Sequence, residues 1–118
     1  LVGEIEYSEI PGYLQKADIY VASSFSEGFG NATIEAALSG LKVLASNIPV
    51  HREISDGHFD LFDPFSIDSI TGCITAACQS INQDEIIQSS NYFKCFSEKL
   101  CAQNHYQAYR ELIYENTP

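Results

Sequence analysis

Two glutamates and two glycines stand close together in this chain of 118 residues, in the run Glu27-Gly28-Phe29-Gly30 and at Glu35. A carboxylate only accepts hydrogen bonds, so a pair of carboxylates suits a ligand that offers hydroxyl groups. Glycine has no β-carbon and lets the backbone approach a bound molecule closely. These residue types therefore predict a polar site for a hydroxylated ligand.

The flanking sequence places this run at the start of a helix. Residues 19–22 form a short apolar segment typical of a buried parallel strand. After the glycines, apolar residues recur with helical spacing at Ile34, Ala37 and Leu41. A helix N-terminus offers free backbone N–H groups and the positive end of the helix dipole, which together bind anions. N–H groups that can bind a phosphate, placed between two carboxylates that can accept hydrogen bonds from hydroxyls, predict a nucleotide-sugar ligand.

At these residues the chain resembles the retaining glycosyltransferases with the GT-B fold, and family 4 (glycosyl transferases group 1) most closely. Glu27 and Glu35 have the spacing of that family's E-x7-E signature. Lys42 departs from the family pattern, which commonly has proline there. The resemblance covers nearly the whole chain, with further similar runs at residues 3–5, 8–18, 36–46, 52–57 and 61–64.

The resemblance implies an α/β fold, a Rossmann-like three-layer sandwich with a small parallel sheet of three or four strands between helices. It also implies that residues 1–118 are the C-terminal part of a GT-B nucleotide-sugar-binding domain whose N-terminal acceptor domain is absent. The chain contains no methionine, even at its first position, which fits a piece of a longer protein. The alternation of strand and helix patterns independently favours a parallel sheet, and the C-terminal half is expected to be helical.

Periodicity and turn residues predict the individual elements. Strands are expected at residues 2–5, 19–22, 43–45 and 59–62. Helices are expected to begin at Ser8, Asn31, Val50, Ser66, Asp84 and Ser97. Ligands of parallel sheets bind beyond the carboxyl ends of the strands. The loop that carries Glu27 and the loop at residues 46–53 are therefore expected to line one cleft.

The resemblance implies a role for each candidate residue. Glu27, the catalytic candidate, would accept a hydrogen bond from a hydroxyl of the donor sugar and orient it without acting as a nucleophile. Glu35 would bind the two ribose hydroxyls. The remaining donor-binding candidates, expected against the sugar and the diphosphate, are Gly28, Phe29, Gly30, Asn31 and Thr33. No metal site is expected.

Several candidates also have an ordinary structural interpretation. Phe29 is more typical of a packing residue than of a stacking platform, and Asn31 is equally well explained as a plain N-cap. Glu53 is a second-rank candidate for the cleft, although with Arg52 it would form a surface pair of little energetic weight. These interpretations stay open at the level of sequence.

Charge limits the partners of the chain. The formal net charge of −10 disfavours nucleic acid and anionic membrane. None of the six basic residues lies in the glycine-containing turn, although a diphosphate attracts basic side chains. The resemblance implies that the basic phosphate clamp lies N-terminal to the matched region.

Cysteine and histidine residues do not predict a site. The four cysteines form no C-x-x-C pair and indicate reduced thiols of a cytosolic protein. Cys101 and His105 lie one helical turn apart, but a zinc site would need two more ligands. His51 and His58 are interpreted as loop histidines without a catalytic role.

The sequence therefore predicts a glycosyltransferase domain that takes part in moving a sugar, with retention, from a nucleotide-diphosphate sugar to an acceptor hydroxyl. Glycan, lipopolysaccharide or glycolipid biosynthesis is the expected setting, with no cofactor and with the acceptor bound through the absent N-terminal domain. The location is expected to be the cytoplasm or, through the full-length protein, the inner face of the membrane. The chain alone is expected to be inactive. Its sheet is expected to lack N-terminal strands and to expose an edge or an apolar face, which favours self-association.

Other functions fit less well. A non-catalytic or degenerate nucleotide-sugar-binding or interaction module remains the main alternative, although both glutamates are present. A dinucleotide oxidoreductase would need glycine where Thr33 stands and an acidic residue where Ser46-Asn47 stands. A GT-B epimerase would share the architecture, whereas a phosphorylase would need a pyridoxal-phosphate lysine, for which Lys42 is badly placed.

Overall fold

The sheet has three parallel strands in the part of the chain that the structure describes. The computed structural model describes residues 3–96 and residue 103. In this part of the chain the strands are β1 (Ile19–Ala22), β2 (Lys42–Ser46) and β3 (Asp60–Phe62), in the spatial order β1-β2-β3. Val21 of β1 lies beside Leu44 of β2, and Leu44 lies beside the first residue of β3. The strands predicted at residues 19–22, 43–45 and 59–62 are confirmed to within one residue at each end.

Helices connect the strands, as parallel pairing requires. Within the described residues the α-helices are α1 (Ile10–Leu14), α2 (Asn31–Leu38), α3 (Pro49–Ser55), α4 (Ile67–Gln79) and α5 (Gln83–Phe93). Short 3-10 turns occupy Tyr7–Glu9 and Lys94–Phe96. Helix α2 links β1 to β2, and α3 links β2 to β3. None of the described helices is long and apolar enough to cross a membrane.

The helices cover both faces of the sheet. Alternate residues of a strand point to opposite sides, so Val43 joins the buried cluster formed with α2, α3 and α5, while Leu44 joins the cluster formed with α4. Phe93 of α5 is fully buried, and its ring stacks on Phe59 with the centroids 4.8 Å apart. The predicted three-layer α/β architecture is confirmed.

Local sequence explains most helix ends. Ser66 caps α4, because its hydroxyl accepts a hydrogen bond from the backbone N–H three residues later. Helix α3 starts with Pro49 and stops at Asp56 and Gly57, which both have a left-handed backbone with φ of 42° and 83°. Helix α2 is followed by Gly40, also left-handed at 83°. These starts and stops match the sequence pattern.

Two expectations at the N-terminal end are wrong. Residues 3–6 form no strand, because a strand needs a partner for its backbone hydrogen bonds and none of the three described strands pairs with this segment. Ser8 does not cap the first helix and lies inside the 3-10 turn that follows Glu6. The carboxylate of Glu9 accepts the backbone N–H of Glu6 at 3.2 Å and closes that turn.

Two further caps differ from expectation. Helix α5 is capped by Asn82, whose side-chain oxygen accepts the backbone N–H of Asp84 at 3.0 Å, so Asp84 lies in the first turn. Gly30 occupies the N-cap position of helix α2 and offers no capping side chain, and Asn31 is the first helical residue. The helix predicted after Ser97, and the pair Cys101 and His105, lie outside the described residues.

Candidate functional site

The site lies where the first two strands end. The chain leaves β1 after Ala22 and passes through residues 23–30 into α2, and it leaves β2 after Ser46 toward α3. The hydroxyl of Ser46 donates a hydrogen bond to the backbone carbonyl of Ser24 at 2.5 Å. The two loops therefore lie together at the carboxyl edge of the sheet, as the sequence predicts.

Helix α2 begins without a side-chain cap. The carbonyl of Gly30 accepts the N–H groups of Thr33 and Ile34 at 3.0 and 3.2 Å. None of the hydrogen bonds in the described part of the chain uses the N–H of Asn31 or Ala32. These two donors and the helix dipole point out of the helix toward the carboxyl edge, which is an arrangement suited to an anion.

The two glycines of the turn have different surroundings. A β-carbon on Gly28 would meet no other atom within 4 Å. A β-carbon on Gly30 would lie 3.1 Å from Cδ1 of Ile54 and 3.8 Å from Nε2 of His51. The absence of a side chain at Gly30 therefore lets α2 start against α3, whereas the space beside Gly28 is open to a ligand.

The two glutamates lie on the solvent side of this turn. Both are exposed. The hydroxyl of Ser24 donates to Oε1 of Glu27 at 2.5 Å, while the carboxylate of Glu35 has no hydrogen-bond partner within the described residues. Burial raises the pKa of Tyr20, and the negative charges of Glu27 and then of Glu35 raise it further. The half-buried Tyr20 phenol thus interacts electrostatically with both carboxylates. The strand pattern alone could not indicate this interaction.

The other candidates differ from one another in exposure and in their partners. Phe29 is half-exposed, and its ring centroid lies 6.0 Å from that of Phe96, which supports a packing role. Thr33 is only 2% exposed, so its hydroxyl is turned away from solvent. Arg52 donates to the backbone and side-chain oxygens of Asn47 at 3.1 and 2.9 Å rather than to Glu53.

His51 is the residue at this edge that sequence reasoning misjudged. It lies in the first turn of α3 and is fully buried, whereas a loop position was expected. Its Nδ1 lies 2.9 Å from the carbonyl oxygen and 3.2 Å from the hydroxyl of Ser46. Its Nε2 is buried without a hydrogen-bond partner among the described residues. The one available signal was the helical spacing of His51 with the buried Ile54 and Ser55.

His58 agrees better with expectation. It lies in the loop between α3 and β3, and its ring stacks on Tyr92 of α5 with the centroids 4.5 Å apart. Cys73 and Cys78 are free thiols. No group of three or more histidine, cysteine or acidic side chains among the described residues is arranged to hold a metal ion.

A second cleft, of about 400 Å³, lies between α5 and the start of β2, away from the glycine-containing turn. Its lining includes Lys42, whose ammonium group pairs with Asp60 at 3.1 Å and with Glu85 at 3.4 Å. None of the predicted donor-binding residues lines this cleft. The paired lysine explains how the sheet tolerates a charge at the position where the resembled family commonly has proline.

Comparison with known proteins finds a matching family model and similar proteins. Residues 1–91 match the family model described as Glycosyl transferases group 1. The chain is 26% identical over 113 residues to the O-antigen biosynthesis glycosyltransferase WclY of Escherichia coli, an alignment that covers 95% of this chain and 31% of that protein. A second Escherichia coli protein of the same description matches equally.

The fold also has a counterpart among solved structures. Sucrose-phosphate synthase from Thermosynechococcus elongatus superposes with a TM-score of 0.78 at 22% sequence identity. The superposition covers 98% of this chain and 30% of that one. At this level of identity the likeness establishes the shared α/β architecture of a GT-B domain.

Proposed function

This chain belongs to the glycosyl transferases group 1 family, and we propose that it forms part of the donor-binding domain of a retaining glycosyltransferase. In this proposal residues 1–118 are the C-terminal part of a GT-B nucleotide-sugar-binding domain. The observation that carries the proposal is the uncapped N-terminus of α2 between the two exposed carboxylates of Glu27 and Glu35.

The diphosphate of the donor is proposed to bind at the N-terminus of α2. The N–H groups of Asn31 and Ala32 supply two donors, and the helix dipole supplies positive potential. Gly28 leaves the room that the ligand needs beside the turn. Because the chain has a net charge of −10, the remaining positive charge is proposed to come from basic side chains elsewhere in the full protein.

The two carboxylates would recognise the two sugars of the donor. Ser24 occupies one position of the Glu27 carboxylate, which leaves its other lone pairs for a hydroxyl of the transferred sugar. Glu35 has both oxygens available among the described residues, and two oxygens match the two neighbouring hydroxyls of a ribose. Gly30 and Phe29 would shape the turn, Gly30 through its contact with α3 and Phe29 through packing on Phe96.

The reaction would proceed by charge stabilisation of the leaving group. The bond from the anomeric carbon to the diphosphate oxygen breaks, and a bond to the acceptor oxygen forms on the same face of the sugar. The proton of the acceptor hydroxyl passes to a diphosphate oxygen. The α2 N-terminus stabilises the departing diphosphate, so the proposal requires neither a nucleophilic residue nor a metal ion.

The acceptor and the location belong to the whole protein. The similar Escherichia coli protein is described as acting in O-antigen biosynthesis. On that ground we place the acceptor among glycans or glycolipids, bound mainly by an N-terminal domain, and the protein in the cytoplasm or at the inner face of the membrane. This chain spans 31% of that relative, so by itself it is proposed to be inactive.

Self-association of the isolated chain is also part of the proposal. Among the described residues strand β1 lies at one edge of the sheet, and Val21 is 41% exposed. An exposed strand edge with an apolar side chain favours pairing with a second chain. Sedimentation velocity over a range of concentrations would measure this, and a monomer at all concentrations would contradict it.

The experiment that tests the function is a binding screen of UDP-, GDP- and ADP-sugars by ligand-observed NMR, followed by calorimetry. We expect one nucleotide class to bind and Glu35→Gln to weaken its binding by about tenfold or more, because the charge is lost and one of the two acceptor oxygens is replaced by an N–H₂ donor. Glu27→Gln should weaken binding of the nucleotide-sugar and leave binding of the free nucleoside diphosphate unchanged. The matched control is Glu4→Gln, an exposed glutamate outside the site.

The same variants separate the proposal from its alternative. Product formation from the bound donor by the full-length protein, abolished by Glu27→Gln, supports the enzyme. Donor binding by the full-length protein without any sugar transfer or donor hydrolysis favours a non-catalytic nucleotide-sugar-binding module. Binding that is indifferent to both Glu27→Gln and Glu35→Gln would overturn the assignment of the site.

A further inference from the structure

The hydrogen-bond partner of Nδ1 in the His51 ring decides whether this nitrogen donates or accepts. Nδ1 lies 2.9 Å from the carbonyl oxygen of Ser46, and a carbonyl only accepts. Nδ1 must therefore carry the proton. The Ser46 hydroxyl already donates to the carbonyl of Ser24, so at 3.2 Å it also accepts from the same Nδ1–H. A second proton on Nε2 would be a buried charged donor without an acceptor among the described residues, so Nε2 is left bare.

These bonds continue to the catalytic candidate. Ser46 holds the backbone of Ser24, and the side chain of Ser24 donates to Glu27 at 2.5 Å. A path of hydrogen bonds thus runs from α3 through the end of β2 to the exposed carboxylate on the neighbouring loop. Each link is 3.2 Å or shorter. Because one end of the path is a fully buried ring, the exposed carboxylate is tied to the core.

Packing alone does not explain a histidine at this position. Nε2 is buried with no partner among the described residues, and an unpaired buried nitrogen costs free energy. A phenylalanine ring would fill similar space without that cost. What the imidazole contributes and phenylalanine cannot is the Nδ1–H bond to Ser46. The hydrogen bond from Nδ1–H to Ser46 therefore explains why a histidine stands at this position.

We propose that His51 is a positioning residue that fixes Glu27 for the donor sugar through Ser46 and Ser24. This inference rests on the proposed function, because it assumes that Glu27 receives a sugar hydroxyl. His51 itself touches no ligand, since both its ring and its Nε2 are buried. His51 therefore affects binding of the donor sugar, whereas the nucleotide is bound by Glu35.

The first test reads the ring and the loop without any ligand. Long-range proton–nitrogen NMR of the ¹⁵N-labelled protein should show His51 as the neutral tautomer protonated on Nδ1. His51→Asn places an amide N–H₂ where Nδ1 stands and should keep the amide signals of Ser24 and Glu27 near their wild-type positions. His51→Phe should shift both signals, and His51→Gln, with its amide at the Nε2 position, should behave like His51→Phe.

The second test separates positioning from a general structural role. His51→Phe should weaken binding of the nucleotide-sugar found in the screen by about tenfold, because Glu27, no longer held in place, would lose its charge-assisted hydrogen bond from the sugar hydroxyl. Binding of the matching nucleoside diphosphate, which has no donor sugar, should stay within about twofold. His51→Asn should restore nucleotide-sugar binding. When Glu27 is already Gln, adding His51→Phe should have little further effect. His58→Phe, which keeps the stacking on Tyr92, is the matched control.

Distinct outcomes overturn the inference and the function. An Nε2-protonated tautomer, or loop signals unchanged by His51→Phe, would overturn the positioning role even if no donor is found. Equal weakening of nucleotide-sugar and nucleoside diphosphate by His51→Phe would reduce His51 to a packing residue. Failure of the wild-type protein to bind any nucleotide-sugar, with the tautomer and loop shifts as expected, would overturn the proposed function and the role toward a donor sugar, and would leave only the fixing of Glu27 by His51.

Discussion

Gly30 and Ile54 pack so closely that a β-carbon on Gly30 would lie 3.1 Å from Cδ1 of Ile54. Gly30 also has a left-handed backbone with φ of 81°, which L side chains rarely adopt. A β-carbon on Gly28, two residues earlier, would meet no other atom within 4 Å. One glycine is therefore required by the fold, and the other is available to a ligand.

Substitution of the two glycines should separate these roles. Gly30→Ala should lower the free energy of unfolding by about 1–2 kcal/mol, because of the left-handed backbone and the contact with α3. Gly28→Ala should change it by less than about 0.5 kcal/mol and should weaken nucleotide-sugar binding. Urea denaturation and calorimetry measure the two effects. Equal destabilisation by both substitutions would refute the distinction.

Tyr20 makes stability depend on pH in the alkaline range. Burial and the charges of Glu27 and Glu35 raise its pKa in the folded state above the unfolded value of about 10. The folded state therefore holds the phenol proton more tightly, and this contribution to stability is fully present below about pH 10. It is lost as the pH rises through the folded-state pKa.

Removal of the phenol should flatten that dependence. Tyr20→Phe should lose less stability than the wild type as the pH rises above about 10, measured by urea denaturation at each pH. Tyr7→Phe, at a side chain that is 78% exposed, serves as the control and should keep the wild-type slope. A parallel fall for Tyr20→Phe and wild type would show that the phenol does not contribute.

Lys42 should tolerate the loss of one partner better than the loss of both. Its side chain is 12% exposed and lies between Asp60 and Glu85. Asp60→Asn or Glu85→Gln alone should cost about 0.5 kcal/mol, as for exposed carboxylates. The double variant leaves a largely buried ammonium group unpaired and should cost about 2–3 kcal/mol.

The informative quantity for Lys42 is the departure from additivity. Urea denaturation of the wild type, the two single variants and the double variant gives the coupling free energy. We expect the cost of the double variant to exceed the sum of the single costs, and about 1 M salt to reduce the single effects. Additive costs would mean that water already solvates the Lys42 ammonium group.

Phe93 should be far more sensitive to truncation than an exposed aromatic residue. Its ring is fully buried, stacks on Phe59 and meets Tyr92 edge-on with centroids 4.9 Å apart. Phe93→Ala should cost about 3–5 kcal/mol through lost burial and the cavity left behind. Phe65→Ala, at a ring that is 83% exposed, should cost less than about 1 kcal/mol. Similar costs at both positions, measured by urea denaturation, would contradict the packing of α5 against the sheet.

The regular part of the fold was accessible from sequence because its signals are local. The apolar run of β1, the stop at Gly40 and the Ser66 cap each depend on a few neighbouring residues, and the structure confirms all three. The strand expected at residues 2–5 is absent from its described part, residues 3–5, because pairing depends on a distant partner. The caps expected at Ser8 and Asp84 failed because several adjacent polar residues compete for the same N–H groups.

The sequence by itself determined the type of fold and the family of this protein, because spacing along the chain carries both. The period of the apolar residues predicts strands and helices, and the interval from Glu27 to Glu35 predicts the carboxylates on either side of a helix N-terminus. Only the tertiary structure decided that His51 is buried, that it bonds to Ser46 and that Gly30 must lack a side chain. These depend on α2, α3 and the ends of two strands meeting in space, and no local pattern specifies the orientation in which they meet.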